Sequence, residues 1–189
     1  MRIGIFGGTF DPPHVGHLIA ATDACDALGL DRVVFVPTAA QPLKSEEPAA
    51  TAEQRLEMVR LAVGYDSRFE VDPMEVERGG LSFTVDTLRA LRQRWPAGTA
   101  ELVLLLGADA AEQFPHWKEP EGVRALAEVV VLMRGDGSES LTSGMRSAST
   151  RRVDISSTEI RDRMRAGKPV GAFLTEAVAA YIGRHGLYR

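Results

Sequence analysis

The sequence predicts an α/β fold built on a doubly wound, mainly parallel sheet, and three observations carry that expectation. Apolar runs of strand length alternate along the chain with amphipathic segments of helix length. The runs are close to continuous rather than alternating, which requires burial on both faces of a sheet. At 189 residues and 44% hydrophobic content, the chain can bury a substantial core as one domain spanning residues 1–189.

Residues 2–6 form the first predicted strand. Residues 17–28 follow as an alanine-rich helix, which Gly29 ends in a left-handed conformation. A second strand, 32–36, is stopped by Pro37, and 38–50 is a loop holding Pro42, Lys44 and Pro48. Thr51 and Gln54 have capping-box spacing, so a helix starts there with Leu56, Val59 and Val63 on its apolar side. Residues 69–71 make a short third strand, and Arg78-Gly79-Gly80 a turn. The segment 84–95 is a helix with Val85, Leu88 and Leu91 inward, closed by Pro96. Residues 101–106 are a fourth strand ending in Gly107-Ala108-Asp109, with a short helical stretch behind it. Residues 123–127 are helical, and 129–133 form the fifth buried strand. The Ser-, Gly- and Thr-rich segment 135–150 is expected to be a mobile loop, and 152–155 a last short strand. Two C-terminal helices begin near Ser157 and near Thr175.

A net charge of −4 gives no bulk attraction to nucleic acid or to an anionic membrane, so any basic site must be local. The apolar runs are strand-sized, far short of a membrane span, and the N-terminus lacks the pattern of a signal peptide. A cytoplasmic protein is expected. The single Cys25 has no internal disulfide partner and is read as a core residue. Oligomeric state is left open, a homo-oligomer included.

The most informative stretch is Gly7-Gly8-Thr9-Phe10-Asp11-Pro12-Pro13-His14-Val15-Gly16-His17, directly after the first strand. Two residues without side chains let the backbone take unusual dihedrals and approach a ligand closely. The helix behind them points unpaired N–H groups and a partial positive charge at whatever lies in front. His14 and His17 are three apart and share one face of its first turn, where both can donate to phosphate oxygens. Gly16 between them is expected to leave room for a flat group such as a nucleobase. A third His or Cys at metal-ligand spacing is missing, which argues against a metal site.

A second concentration of donors is Ile155-Ser156-Ser157-Thr158-Glu159-Ile160-Arg161. Ser156 and Glu159 have capping-box spacing, so hydroxyls and backbone N–H groups gather at a helix start, and Arg161 lies within reach of an anion there. Two anion sites fit a long polyanion such as a nucleoside triphosphate.

The first motif resembles the His-x-Gly-His signature of a nucleotidyltransferase superfamily with a Rossmann-like fold, related to class I aminoacyl-tRNA synthetases. Its full form is similar to that of the bacterial nicotinate-nucleotide adenylyltransferases, and the ISSTEIR string resembles their second phosphate-binding motif. The likeness continues through the middle of the chain. Pro42-Leu43-Lys44 stands where the family has Pro-His-Lys, keeping the lysine but not the histidine. Ser82-Phe83-Thr84-Val85-Asp86-Thr87-Leu88 matches Ser-Tyr-Thr-x-Asp-Thr-Leu, Gly107-Ala108-Asp109 matches Gly-x-Asp, and Trp117 falls at the family's spacing.

The resemblance implies transfer of AMP from ATP to nicotinate mononucleotide, giving nicotinate adenine dinucleotide (deamido-NAD) and pyrophosphate in NAD biosynthesis. It assigns His17, His14, Lys44 and Arg161 to the reacting phosphates. Gly7, Gly8, Thr9, Phe10, Gly16, Arg134, Ile155, Ser156 and Ser157 are implied for ATP, and Thr84, Gly107, Asp109 and Trp117 for the nicotinate nucleotide. Mg2+ would arrive on the ATP phosphates rather than in a protein cage. The alternatives are another enzyme of the superfamily, such as one resembling the pantetheine-phosphate adenylyltransferases, or a non-catalytic nucleotide sensor. The G-x-G-x-x-G fingerprint of nicotinamide-dependent dehydrogenases is absent.

Overall fold

The computed structural model describes residues 1–43, 47–135 and 145–189, with the side chain of Arg134 also outside the description. Strands β1 (Arg2–Gly8), β2 (Arg32–Pro37), β3 (Phe69–Val71), β4 (Glu101–Gly107), β5 (Glu128–Arg134) and β6 (Arg146–Thr150) form one sheet in the order β3-β2-β1-β4-β5-β6. Every pairing is parallel. The order reverses between β1 and β4, so the crevice at their carboxyl ends is where such a sheet accepts a ligand.

The apolar runs are continuous because alternate residues feed two cores. Leu102, Leu104 and Leu106 of β4 join Ile3 and Ile5 of β1 on one face, beneath Val85, Leu88 and Leu91 of α4 (Thr84–Arg94) and Val123 of α6 (Pro120–Leu126). Val103 and Leu105 face the other way with Val33 and Phe35 of β2, beneath α1 (Val15–Leu28) and α2 (Ala52–Val63). Cys25 is buried in this second core, as expected. A third cluster joins α2 to α7 (Ser157–Arg165) and α8 (Glu176–His185) through Met58, Ile160, Val178 and Ile182.

Local signals hold at several ends. Gly29 closes α1 in the left-handed region with φ 61°. At α2, Thr51 accepts the Gln54 N–H while the Gln54 side chain accepts the Thr51 N–H.

Three expectations need correction. The last strand is β6, Arg146–Thr150, and not 152–155, which forms no strand; Arg151, just before it, is drawn onto Asp23. Hence the segment 135–150 is not simply a loop; its described end is an edge strand, and 136–144 lie outside the described residues. Arg-Ser-Ala-Ser-Thr is too polar to read as a strand, because one face is exposed and only Ala148 and Thr150 are buried. Finally, α3 (Met74–Arg78) precedes the Gly79-Gly80 turn; five residues give too short a period to detect. A further short helix, α5 (Ala108–Gln113), and the 3-10 turn Phe114–His116 lie beyond β4.

Candidate active site

The first motif leaves β1 at Gly8 and enters α1 at Val15. Neither residue of the double glycine has a positive φ, and of the two it is Gly8 that is closely approached. The left-handed residue is instead Phe10, at φ 51°, whose ring turns back under the loop. A Cβ on Gly8 would stand 2.9 Å from that ring. Phe10 is buried and packs edge-on against His17 at 5.0 Å, so its side chain supports the loop from behind.

The two histidines stack, with ring centroids 3.8 Å apart. The His14 N–H donates to His17 Nδ1 at 3.2 Å. An Nδ1 that accepts a proton bond carries none itself, which leaves Nε2–H as the donating edge of His17. Space beside Gly16 is already occupied, because a Cβ there would meet His14 Nδ1 at 3.0 Å and Val153 at 3.6 Å. A bare Gly16 is thus what lets the His14 ring lie against this turn.

The second motif is tied to the first. Ser156 caps α7 by accepting the Glu159 N–H at 3.1 Å. Ser157 Oγ donates to the Pro12 carbonyl at 2.8 Å, and Arg161 Nη1 donates to the Asp11 carbonyl, also at 2.8 Å. The second Arg161 Nη reaches Thr158 Oγ1 at 3.2 Å, and its guanidinium lies 3.9 Å from the Asp11 carboxylate. Ile155, half-buried, leads into this cap. Arg161 thus clamps the two motifs together, where its sequence position suggested only an anion contact.

A largely apolar cavity lies at Gly7 and Gly8. Its walls include Gly7, Gly8, Thr38, Gln41, Ser82, Phe83, Thr84, Gly107, Trp117 and Lys118. The fold so brings Thr84, Gly107 and Trp117 together with the double glycine. Thr84 is the first residue of α4 with Phe83 as its cap, so its hydroxyl is not spent on capping. Asp86 in the same turn pairs with Lys118 at 2.9 Å, pinning the start of α4 next to Trp117, whose other neighbour is the Phe114 ring at 5.3 Å. A bare Cβ position at Gly107 meets nothing within 4 Å, leaving the end of β4 open. Asp109 is exposed in the first turn of α5, beyond that open end. Thr9 Oγ1 donates to Gln41 Oε1 at 3.0 Å, which spans the two rims. Lys44 and the Arg134 side chain fall outside the described residues.

Several residues that shape the site were given no role by the sequence. Asp11 is buried, accepting Ala49 N–H at 2.8 Å, Ala50 N–H at 3.1 Å and the Tyr188 hydroxyl at 2.7 Å. Burial, reinforced by the Asp11 carboxylate, pushes the Tyr188 phenol far above its ordinary value, so it stays a donor. Glu75, in the cavity wall, is buried and accepts the Thr87 hydroxyl; burial raises its carboxyl above the usual range. A motif search weighs residue types at fixed spacing and cannot anticipate a tyrosine 177 positions away from its carboxylate.

The family model described as Cytidylyltransferase-like matches residues 5–163. Over its whole length the chain is 46% identical to a Gemmatimonas aurantiaca protein named "Probable nicotinate-nucleotide adenylyltransferase", covering 93% of that protein. A Thermus thermophilus protein of the same name is 46% identical, with both chains covered completely. The chain belongs to the nicotinate-nucleotide adenylyltransferase family. It is a nucleotidyltransferase of that family, with the parallel Rossmann-like sheet expected of it. Among solved structures, a Plasmodium falciparum nicotinic acid mononucleotide adenylyltransferase complexed with NaAD has the same fold, at TM-score 0.80 and 18% identity over 99% of this chain and 97% of the other. The same enzyme complexed with APC superposes at TM-score 0.76 and 17% identity, over 99% and 96% of the two chains. Among the described residues no helix is long and apolar enough to cross a membrane.

Proposed function

We propose that this chain, acting as one domain over residues 1–189, transfers AMP from ATP to nicotinate mononucleotide and releases pyrophosphate, in the cytoplasm. The observation that carries this reading is the shared wall at Gly7 and Gly8. Both glycines line the apolar cavity of Thr84 and Trp117, which suits a pyridine ring, and both open the motif that carries the stacked His14 and His17 and is tied to the Ser156–Arg161 segment, which suits phosphates. Two nucleotides lying across that wall would meet at their phosphates.

The phosphate of nicotinate mononucleotide is already an anion near neutral pH, so the chain need supply no strong base. It attacks the α-phosphorus of ATP in line, the bond to the bridging oxygen breaks, and pyrophosphate leaves with the electron pair. His17 Nε2–H is the donor to charge that develops on the α-phosphoryl oxygens, aided by the positive end of the α1 dipole. His14 holds His17 by stacking and through its own N–H. Lys44 and Arg134 are proposed for the triphosphate by family position alone, and Arg161 acts chiefly by keeping the two motifs in register. Trp117 offers a face to the pyridine, and the Thr84 hydroxyl with the first N–H groups of α4 offers donors to its carboxylate. Asp109 at the open end of β4 is proposed for a ribose hydroxyl.

Magnesium is proposed to ride on the triphosphate, where it neutralises charge. Among the described residues there is no group of three or more His, Cys, Asp or Glu spaced to hold a metal, and a site rich in phosphate donors fits an ion brought by its substrate.

Pyrophosphate release with ATP, magnesium and nicotinate mononucleotide tests the reading, with nicotinamide mononucleotide and phosphopantetheine as comparison substrates. Strong preference for the acid is expected, lost in large part in Thr84→Val. Comparable turnover on acid and amide would refute the roles given to Thr84 and Trp117.

A further inference from the structure

Arg55 is the largest of the fully buried side chains, at 1% exposure, yet it belongs to neither motif. It lies in the second turn of α2, and its guanidinium donates to four backbone carbonyls. Nη1 reaches Thr9 O at 2.8 Å and Thr38 O at 2.7 Å, Nη2 reaches Ala39 O at 3.0 Å, and Nε reaches Ala50 O at 3.3 Å. Thr9 belongs to the phosphate loop, whereas Thr38 and Ala39 begin the loop that walls the apolar cavity. The second loop is tied onward: Ala39 N–H donates to Ser82 Oγ at 3.0 Å, and Ser82 N–H donates to Ala40 O at 2.8 Å. One buried fork therefore connects the two halves of the site through a continuous run of hydrogen bonds.

A charge at that depth is costly. A plain loop staple could be made by an uncharged amide, so the retained guanidinium calls for a geometric reason. Only a planar fork can serve Thr9 O, Thr38 O and Ala39 O from one rigid group and so fix the gap between the two loops. In-line transfer between two bound nucleotides depends on that gap, because it sets the distance between the attacking oxygen and the phosphorus.

We propose that Arg55 is a positioning residue for adenylyl transfer, setting the separation of the phosphate loop from the pyridine wall so that the two bound nucleotides meet in line. The inference rests on the function proposed above. It predicts damage to turnover out of proportion to damage in binding either substrate. A misplacement near 1 Å costs about 100-fold in rate.

The test compares Arg55→Lys, which keeps the charge but not the fork, and Ser82→Ala, which cuts the onward tie from the cavity side. Each is assayed for kcat, for KM with ATP and with nicotinate mononucleotide, for melting temperature and for backbone amide exchange. Arg55→Lys is expected to be folded at the assay temperature, with kcat lowered about 30- to 100-fold and each KM changed less than about threefold. Ser82→Ala should show the same split with a smaller fall in kcat, and decides the matter if the lysine variant does not fold. Amides of residues 8–10 and 38–41 should exchange faster, while those of β4 do not. Wild-type kcat in the lysine variant, KM increases that account for the whole loss, or unchanged exchange in both loops would each overturn the proposal. If the wild-type protein fails to turn over these substrates, the proposed function falls, and amide exchange still decides whether Arg55 joins the loops.

Discussion

Removing one hydroxyl, in Tyr188→Phe, probes how the end of the chain supports the site. The Tyr188 hydroxyl donates to Asp11 Oδ1 at 2.7 Å in a buried setting, and Asp11 lies within the first motif. A hydrogen bond to a charged group contributes about 1.5–3 kcal/mol. The phenylalanine leaves no orphaned acceptor, because Oδ1 still receives the Ala50 N–H at 3.1 Å and Oδ2 the Ala49 N–H at 2.8 Å. The lower part of the range is therefore expected, about 1.5–2 kcal/mol, or roughly 3–8 °C in melting temperature for a chain of this size. The assay is urea unfolding of wild type, Tyr188→Phe, Asp11→Asn and the double variant at pH 7. The cycle should return a coupling of about 1–2 kcal/mol with an unchanged denaturant slope. Costs that add to within about 0.5 kcal/mol would show that the hydroxyl does not act through Asp11, and would refute the reasoning.

Two further outcomes are expected. His17→Ala should lower kcat about 100-fold or more while moving stability by no more than about 1 kcal/mol, because its contacts lie at the surface of α1 and the proposed role of its donor is to act on developing charge; undiminished turnover or an unfolded protein would contradict this. Glu75→Gln should become progressively more stable than wild type as pH rises above the ordinary carboxylate range. Burial raises the folded carboxyl above 4.5, so the unfolded chain releases its proton first and wild type loses stability with rising pH across that window, an effect the amide lacks. Melting curves from pH 4 to 8 read the difference, and a gap independent of pH would dispose of it.

The sequence was informative wherever the governing interaction is local. Capping at Thr51, the left-handed end at Gly29 and the apolar strands followed from neighbours a few residues apart. It failed at β6, where the pairing comes from β5 and the residues themselves are polar, and at the five-residue helix α3. The site divides in the same way. His14 and His17 interact across three positions, and their spacing alone announced them.

Gly16 illustrates the limit of such reading, since only the folded loop shows that the His14 ring lies against it. Folding likewise places Arg161 on the Asp11 carbonyl 150 residues away, a tie that its place in the second motif did not announce.

By itself, then, the sequence determined the fold class, the paired-histidine motif and the family, because period, caps and motif spacing express interactions within one or two turns of chain. The tertiary structure alone decided that Arg55, Asp11 and Tyr188 hold the motif, and that Thr84 and Trp117 share a cavity with Gly7 and Gly8. The physical reason is that buried polar groups must find partners. Where those partners come from distant segments, only the packed chain specifies them.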